Sequence, residues 1–292
     1  MGLAIGIVGL PNVGKSTLFN ALLGAAQAAA ENYPFCTIEP NVGVVPVQDA
    51  RLERLAALHG PRKAVPTTLE FVDIAGLVAG ASRGEGLGNQ FLAHIREVDA
   101  IAHVLRCFED PDVVHLPGAF DPRSDRDVVE TELMLRDLEQ VEKRRERLRK
   151  DAKAPGKPGE VARHGPGLLD GVAARLEAGV PVRAQVLGEE ALAAVRPLFL
   201  LSAKPVLYVA NVDESQLGRE GSDPRILAVK ALAEAEGAPW MEISGKVEAE
   251  LVDLPPGERR QYLDALGLRE SGLERLVRAG YALLGLVTFF TM

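Results

Sequence analysis

The stretch Gly9-Leu-Pro-Asn-Val-Gly-Lys-Ser16 constrains this chain more than any other. It closes the apolar run Leu3–Leu10 and opens a helix-like stretch from Lys15 to Leu23, so the order is strand, glycine-rich loop, helix. In the spacing G-x-x-x-x-G-K-[ST], glycines let successive backbone N–H groups turn inward around a phosphate, and the helix N-terminus adds partial positive charge. Lys15 is placed to reach the β- and γ-phosphates of a nucleotide. Ser16 is placed to ligate Mg²⁺, which takes few protein ligands and completes its shell with phosphate and water. Asn12, Val13, Gly14, Lys15, Ser16 and Thr17 are the nucleotide contacts expected from this loop.

Further short apolar runs at Val42–Val47, Thr68–Val72, Ala100–Arg106, Val206–Ala210 and Trp240–Ile243 read as strands. They alternate with helical patterns at Arg51–His59, Gln90–Glu97 and Pro224–Glu236. That alternation predicts an α/β fold, a Ras-like G domain with a mainly parallel sheet. Between residues 128 and 199 the strand signal fades, and the long charged stretch Asp127–Asp151 has helical spacing. An inserted α-helical, coiled-coil-like hairpin is expected there, with its turn at Ala154–Gly167 and helix resuming at Leu168–Glu177 and Glu189–Val195. The nucleotide-binding domain is then 1–127 with 200–292. Near the end, Glu258–Leu266 and Leu273–Leu284 read as helices and Leu286–Thr291 as a strand.

Composition narrows the class. Of 292 residues, 47 % are hydrophobic and 25 % charged, which suits a folded globular chain. No run approaches the roughly 18 apolar residues of a membrane span, and no basic signal-peptide start precedes the first strand, so the cytoplasm is expected and a membrane partner is not. The cysteines Cys36 and Cys107 are too few for a disulfide framework and read as packed thiols. A net charge of −8 disfavours indiscriminate nucleic-acid binding by the whole surface.

Two further motifs complete a phosphate site. Asp73-Ile-Ala-Gly76 closes the run Leu69–Val72, which puts the Asp73 carboxylate at a strand end on the Mg²⁺ side and lets Gly76 offer its N–H to the γ-phosphate. Thr37, in the loop Pro34–Pro40, can complete the metal shell, so Ser16, Thr37 and Asp73 are the expected metal ligands. For the base, Asn211-Val-Asp-Glu214 follows a strand where guanine-reading proteins carry Asn-Lys-x-Asp. Here Val212 replaces the lysine, and Glu214 is one methylene longer than the aspartate that pairs with guanine N1–H and the exocyclic amine. Lengthening misplaces both bonds, so adenine becomes acceptable while Asp213 leaves residual GTP binding open. Ser244 and Gly245, with Lys246, form the second base loop.

The position after Gly76, where Ras-like proteins place a water-orienting Gln, is Leu77, which cannot hydrogen-bond. His115, in the loop Phe108–Arg126, is the candidate to swing in, since imidazole titrates near neutrality; a surface-loop histidine is the plain alternative. Gly80, Gly84, Gly86 and Gly88 fit either a switch loop that orders around the γ-phosphate or a floppy surface loop. Lys15, His115 and Gly76 make up the expected catalytic set.

These residues together resemble the Obg-like ATPases of the YchF type, among the translation-associated P-loop NTPases. The marks are the loop at 9–16, Pro-Phe-Cys-Thr-Ile-Glu-Pro-Asn at 34–41, Asp-Ile-Ala-Gly-Leu-Val at 73–78, Arg-Gly-Glu-Gly-Leu-Gly-Asn-Gln-Phe-Leu at 83–92 and the N-x-x-E form at 211–214. The resemblance spans the chain. It implies ATP preferred over GTP, slow hydrolysis, a hydrophobic residue in place of the catalytic Gln, a loop histidine falling on His115, and association with ribosomes. Asn12 matches the loop asparagine that ligates a monovalent cation in potassium-stimulated relatives, so K⁺ is an expected cofactor beside Mg²⁺. Members continue into a small β-rich TGS domain, which this chain, ending at Met292, is expected to lack.

The basic run Lys143–Lys150 suits ribosomal RNA phosphate or, equally, a solvated helix face. The leading expectation is a Mg²⁺-dependent ATPase acting as a nucleotide-state switch on the ribosome, as a monomer or weak dimer. The rivals are a nucleotide-gated binding module with negligible hydrolysis and a GTP-specific GTPase.

Overall fold

A computed structural model describes residues 3–30, 38–39, 41–74, 87–110, 121–153, 160–218 and 223–291. The chain forms two compact units, one of Met1–Gly76, Glu97–Asp125 and Pro205–Met292 and one of Leu77–Arg96 and Arg126–Lys204. The first holds a seven-stranded sheet in the order β2-β3-β4-β1-β5-β6-β7. Its strands are β1 (Ala4–Val8), β2 (Ile38–Glu39), β3 (Val42–Pro46), β4 (Thr68–Asp73), β5 (Ala100–Arg106), β6 (Val206–Asn211) and β7 (Trp240–Ile243). From β4 to β7 all neighbours are parallel, whereas β3 pairs antiparallel with both β4 and β2. The mainly parallel α/β class read from the sequence therefore holds, with its antiparallel exception at one edge.

The reason for the strand assignments lies in burial. β1, β5 and β6 are buried at every residue, as strands covered on both faces are, and they read as continuous apolar runs. β3 alternates half-buried and buried residues, the signature of a strand with one face covered. Around the sheet stand α1 (Lys15–Ala30), α2 (Ala50–His59), α7 (Pro224–Glu236), α8 (Gly245–Asp253), α9 (Pro256–Ala265) and α10 (Gly272–Leu283). Their boundaries follow local chemistry. Asp49 and Asp223 cap α2 and α7 through bonds to Arg51 N and Arg225 N, and Gly60 and Gly237 end them in the left-handed conformation. Ser271 and Glu274 form a reciprocal capping box on α10.

The second unit is helical, with α3 (Leu87–Glu97), α4 (Pro122–Lys153, whose first residues belong to the other unit), α5 (Glu160–Glu177) and α6 (Glu189–Val195). Met134, Val141 and Leu148 of α4 share a buried cluster with Leu169, Val172 and Leu176 of α5 and with Ala194 and Val195 of α6. Arg145 and Arg149 of α4 both pair with Asp170 of α5, at 2.9 and 3.2 Å. Asp137, fully buried, accepts from Leu201 N, Ser202 N and Ser202 Oγ at 2.7, 2.7 and 2.6 Å and so fixes the turn that follows α6.

Two expectations fail. Of the turn expected at Ala154–Gly167, the part from Glu160 onward is helix with Pro166 inside it, and 154–159 lie outside the described residues. Pro166 forgoes one backbone bond, and the burial of Leu169, Val172 and Leu176 outweighs that cost. Leu286–Thr291 is not a strand: it has an alternating half-buried and exposed pattern but no pairing partner among the described residues. Instead Thr288 Oγ1 donates to Tyr281 Oη at 3.2 Å, and the Phe290 ring lies under the Arg51 guanidinium. No helix among the described residues is long and apolar enough to cross a membrane.

Candidate nucleotide site

Because β4, β1, β5, β6 and β7 run in one direction, their C-terminal ends lie along one sheet edge, where ligands of open α/β sheets bind. Residue pairing aligns Ile7 with Asp73, Arg106 with Asn211, and Asn211 with Ile243. The three loops singled out by sequence therefore converge: Gly9–Ser16 after β1, Asp73 at the end of β4, and the pair Asn211–Glu214 and Ser244–Gly245 after β6 and β7.

In the first loop Asn12 has φ 62° and Gly14 φ 91°, both left-handed. Asparagine is among the few L-residues that tolerate this region, and glycine adopts it without strain. A Cβ at Gly14 would collide with Asn211 Nδ2, and one at Gly9 would stand 2.5 Å from the Val104 carbonyl oxygen. Both glycines are thus fixed by close approach as well as by backbone shape. Lys15 is buried, and its Nζ donates to the Leu10 carbonyl at 2.7 Å, across the loop it must serve. Burial lowers its pKa from 10.5 to about 8 despite the opposing pull of Asp73.

Ser16 Oγ donates to Asp73 Oδ2 at 3.3 Å. Asp73 Oδ1 is buried with no hydrogen-bond partner among the described residues, and burial raises the carboxyl pKa against the bond from Ser16 and the charge of Lys15. A buried carboxylate oxygen with one lone side, beside a serine hydroxyl at a helix start, is a donor set suited to a hard cation such as Mg²⁺. Thr37, Gly76, Leu77 and His115 lie outside the described residues.

Asn211 is the hinge between loops. Its Nδ2 donates to Val13 O at 2.8 Å, and its Oδ1 accepts from Gly245 N at 3.0 Å. One Nδ2 hydrogen remains to address a base. Val212 is buried and its N–H donates to Ile243 O at 2.8 Å. Ser244 is also buried, and its hydroxyl caps α8 by accepting from Val247 N at 3.5 Å. Gly245 faces Asn211 and Thr17. Glu214 is half-buried and opens the short turn Glu214–Gln216.

Gln216 is a site residue the sequence reading missed. Asp213 caps the turn through Ser215 N, and Gln216 Oε1 returns a bond to Asp213 N, a capping box whose D-x-x-Q spacing is visible in the sequence. Gln216 Nε2 also donates to Cys107 O and Asp223 Oδ2, tying the base loop to the end of β5. Cys107 itself is buried, and burial pushes its thiol up to about 12, so it is a packing residue. His103 lies buried on β5 with its ring 5.8 Å from that of Tyr208, a core position.

A glycine-rich loop closing the central strand of a parallel sheet, a buried lysine folded across it and a serine–aspartate pair at its rim define a P-loop nucleoside triphosphate-binding protein of the G-domain class. Residues 4–147 match the family described as 50S ribosome-binding GTPase. The chain is 50% identical over 291 residues to the ribosome-binding ATPase YchF of Haemophilus ducreyi, covering 100% of this chain and 78% of that protein. To the ribosome-binding ATPase YchF of Bacillus subtilis it is 47% identical over the same shares. A solved structure of the Schizosaccharomyces pombe YchF GTPase matches with a TM-score of 0.85 at 34% identity, covering 97% of this chain and 76% of that one. The chain belongs to the YchF family.

Proposed function

We propose that this protein is a Mg²⁺-dependent ATPase, preferring ATP to GTP, whose nucleotide state controls binding to the ribosome. The observation that carries the reading is the pairing of Ser16 and Asp73 beside the buried Lys15, joined through Asn211 to a base loop that ends in Glu214 rather than Asp. Phosphoryl transfer to water needs positioning and charge neutralisation more than covalent help. Lys15 and the N-terminus of α1 neutralise the phosphates, and Asn12, Val13, Gly14 and Thr17 shape the loop around them. Ser16, Asp73 and Thr37 would hold the Mg²⁺, which would supply positive charge against the phosphates. Gly76 donates its N–H to the γ-phosphate, and His115 orients the attacking water in place of the Gln that Leu77 cannot replace. Asn12 would hold K⁺, which would add positive charge beside the phosphates. Turnover is slow.

The proposed domain division keeps 128–199 as the helical insertion, supported by the core shared by α4, α5 and α6. Relatives named as ribosome-binding support the partner. Asp170 of α5 takes up Arg145 and Arg149 of α4, while Lys143, Arg144, Arg147 and Lys150 of α4 carry no ion pair among the described residues and suit ribosomal RNA phosphate. The protein acts in the cytoplasm as a monomer or weak dimer.

Phosphate release with Mg²⁺-ATP against Mg²⁺-GTP, in K⁺ and in Na⁺, for wild type and His115→Ala tests the reading. Faster ATP turnover that K⁺ raises and the mutant loses is expected. Tight ATP binding with no turnover favours a nucleotide-gated binding module, the reading to which Leu77 lends weight.

A further inference from the structure

Among the described residues, three that are not glycine have a left-handed backbone: Asn12, Asn41 and Phe199. Asparagine tolerates that region, whereas a bulky side chain in it is an outlier. Phe199, at φ 47° and ψ 52°, ends the short turn Arg196–Leu198, its N–H donating to Arg196 O at 3.3 Å. A glycine there would relieve the strain. The same residue is 68 % exposed, while Leu198 and Leu200 on either side are buried in the core shared with α4. Strain and exposure thus fall together on one aromatic ring, and packing among the described residues offsets neither.

The surroundings of that ring are basic. Gln140 of α4 donates to Leu198 O and accepts from Arg96 of α3 at 2.9 Å, which sets one face of α4 beside the Phe199 backbone. Lys143, Arg144 and Arg147 lie three, four and seven residues beyond Gln140, the spacing of that same face, about 5–10 Å along the helix. The acids of the neighbouring stripe, Glu139 and Glu142, are taken up by Arg136 and Arg145.

We propose that Phe199 is a stacking platform for an unpaired base of single-stranded RNA whose phosphates run along Lys143, Arg144 and Arg147. The inference rests on the reading of α4 as the face that meets RNA. Unstacked bases are held by aromatic rings while cations track the backbone, and both halves of that pairing stand here on one surface. A protein partner would call for apolar surface around the ring, since the centres of protein interfaces are depleted of charge.

The test is fluorescence anisotropy of the full chain with a labelled single-stranded RNA of about 12 nucleotides, at several salt concentrations, alongside urea unfolding. The proteins compared are wild type, Phe199→Gly, Phe199→Trp and the double variant Lys143→Ala/Arg147→Ala. Phe199→Gly relieves the backbone and removes the ring, so the unfolding midpoint should hold or rise while RNA affinity falls about five- to thirtyfold with its salt dependence unchanged. Phe199→Trp keeps a stacking face and should bind at least as tightly as wild type. The double variant should weaken binding and flatten its salt dependence. Equal affinity of Phe199→Gly and wild type, or a loss accompanied by a lower unfolding midpoint, overturns the proposal; if the double variant still weakens binding, the RNA reading of α4 stands without it. No RNA binding by wild type, or a double variant that binds as wild type does, removes that reading and the stacking role together. Phe199→Gly that binds RNA normally yet sediments less with ribosomes puts the ring against a ribosomal protein and overturns the proposal too.

Discussion

The side-chain amide of Asn211 spans from the Val13 carbonyl to the Gly245 amide, 2.8 Å on one side and 3.0 Å on the other. One buried residue therefore joins the phosphate loop to both base loops. Asn211→Ala would leave Val13 O and Gly245 N buried and unpaired, at about 2–3 kcal/mol. Nucleotide affinity is expected to fall by about ten- to a hundredfold for ATP and GTP alike, measurable by equilibrium binding.

Lys15 gives a pH signature. With its pKa near 8, the free protein loses this ammonium as pH rises through that value, while a bound triphosphate pulls the pKa back up. Binding between about pH 8 and the ordinary lysine value should take up a proton, and affinity should decline with rising pH across the same window. Calorimetric titration at pH 8.5 in two buffers of different ionisation enthalpy should show heats that differ by that uptake; identical heats would refute it.

The Ser16–Asp73 pair predicts how the metal requirement fails. Asp73→Asn keeps the shape and the bond from Ser16 but removes the charge, so nucleotide binding without Mg²⁺ should survive. The Mg²⁺ concentration needed for half-maximal phosphate release should rise by about tenfold or more.

Asp137 is a stability residue of the helical unit. Asp137→Ala strands the N–H groups of Leu201 and Ser202 and is expected to cost about 3 kcal/mol, seen as an earlier unfolding transition in urea. ATP affinity of the folded fraction should be unchanged.

The site was legible wherever function demands a residue type at a fixed spacing. Gly9, Gly14, Lys15, Ser16 and Asp73 were readable because phosphate and metal chemistry admit few substitutes, and the fully buried strands β1, β5 and β6 because continuous apolar runs mark them. The internal ties were hidden: nothing in the sequence says that the Asn211 amide spans Val13 and Gly245, or that Gln216 reaches the Cys107 carbonyl, since both depend on contacts between distant segments. The Pro- and Gly-rich start of α5 misled for the converse reason, a local turn signal overruled by packing.

Glu248 sits one helical turn beyond the base loop, on α8, and its buried carboxylate accepts from Gly272 N at 2.6 Å and Leu273 N at 3.2 Å at the head of α10. The start of the last helix is thereby indexed to the loop that addresses the base. A shift of Ser244 and Gly245 must either carry α10 with it or strip a buried carboxylate of its partners, so α8 behaves as a short rigid lever with a gripped end. Displacement of the base loop is therefore expected to reach the head of α10 through this one carboxylate.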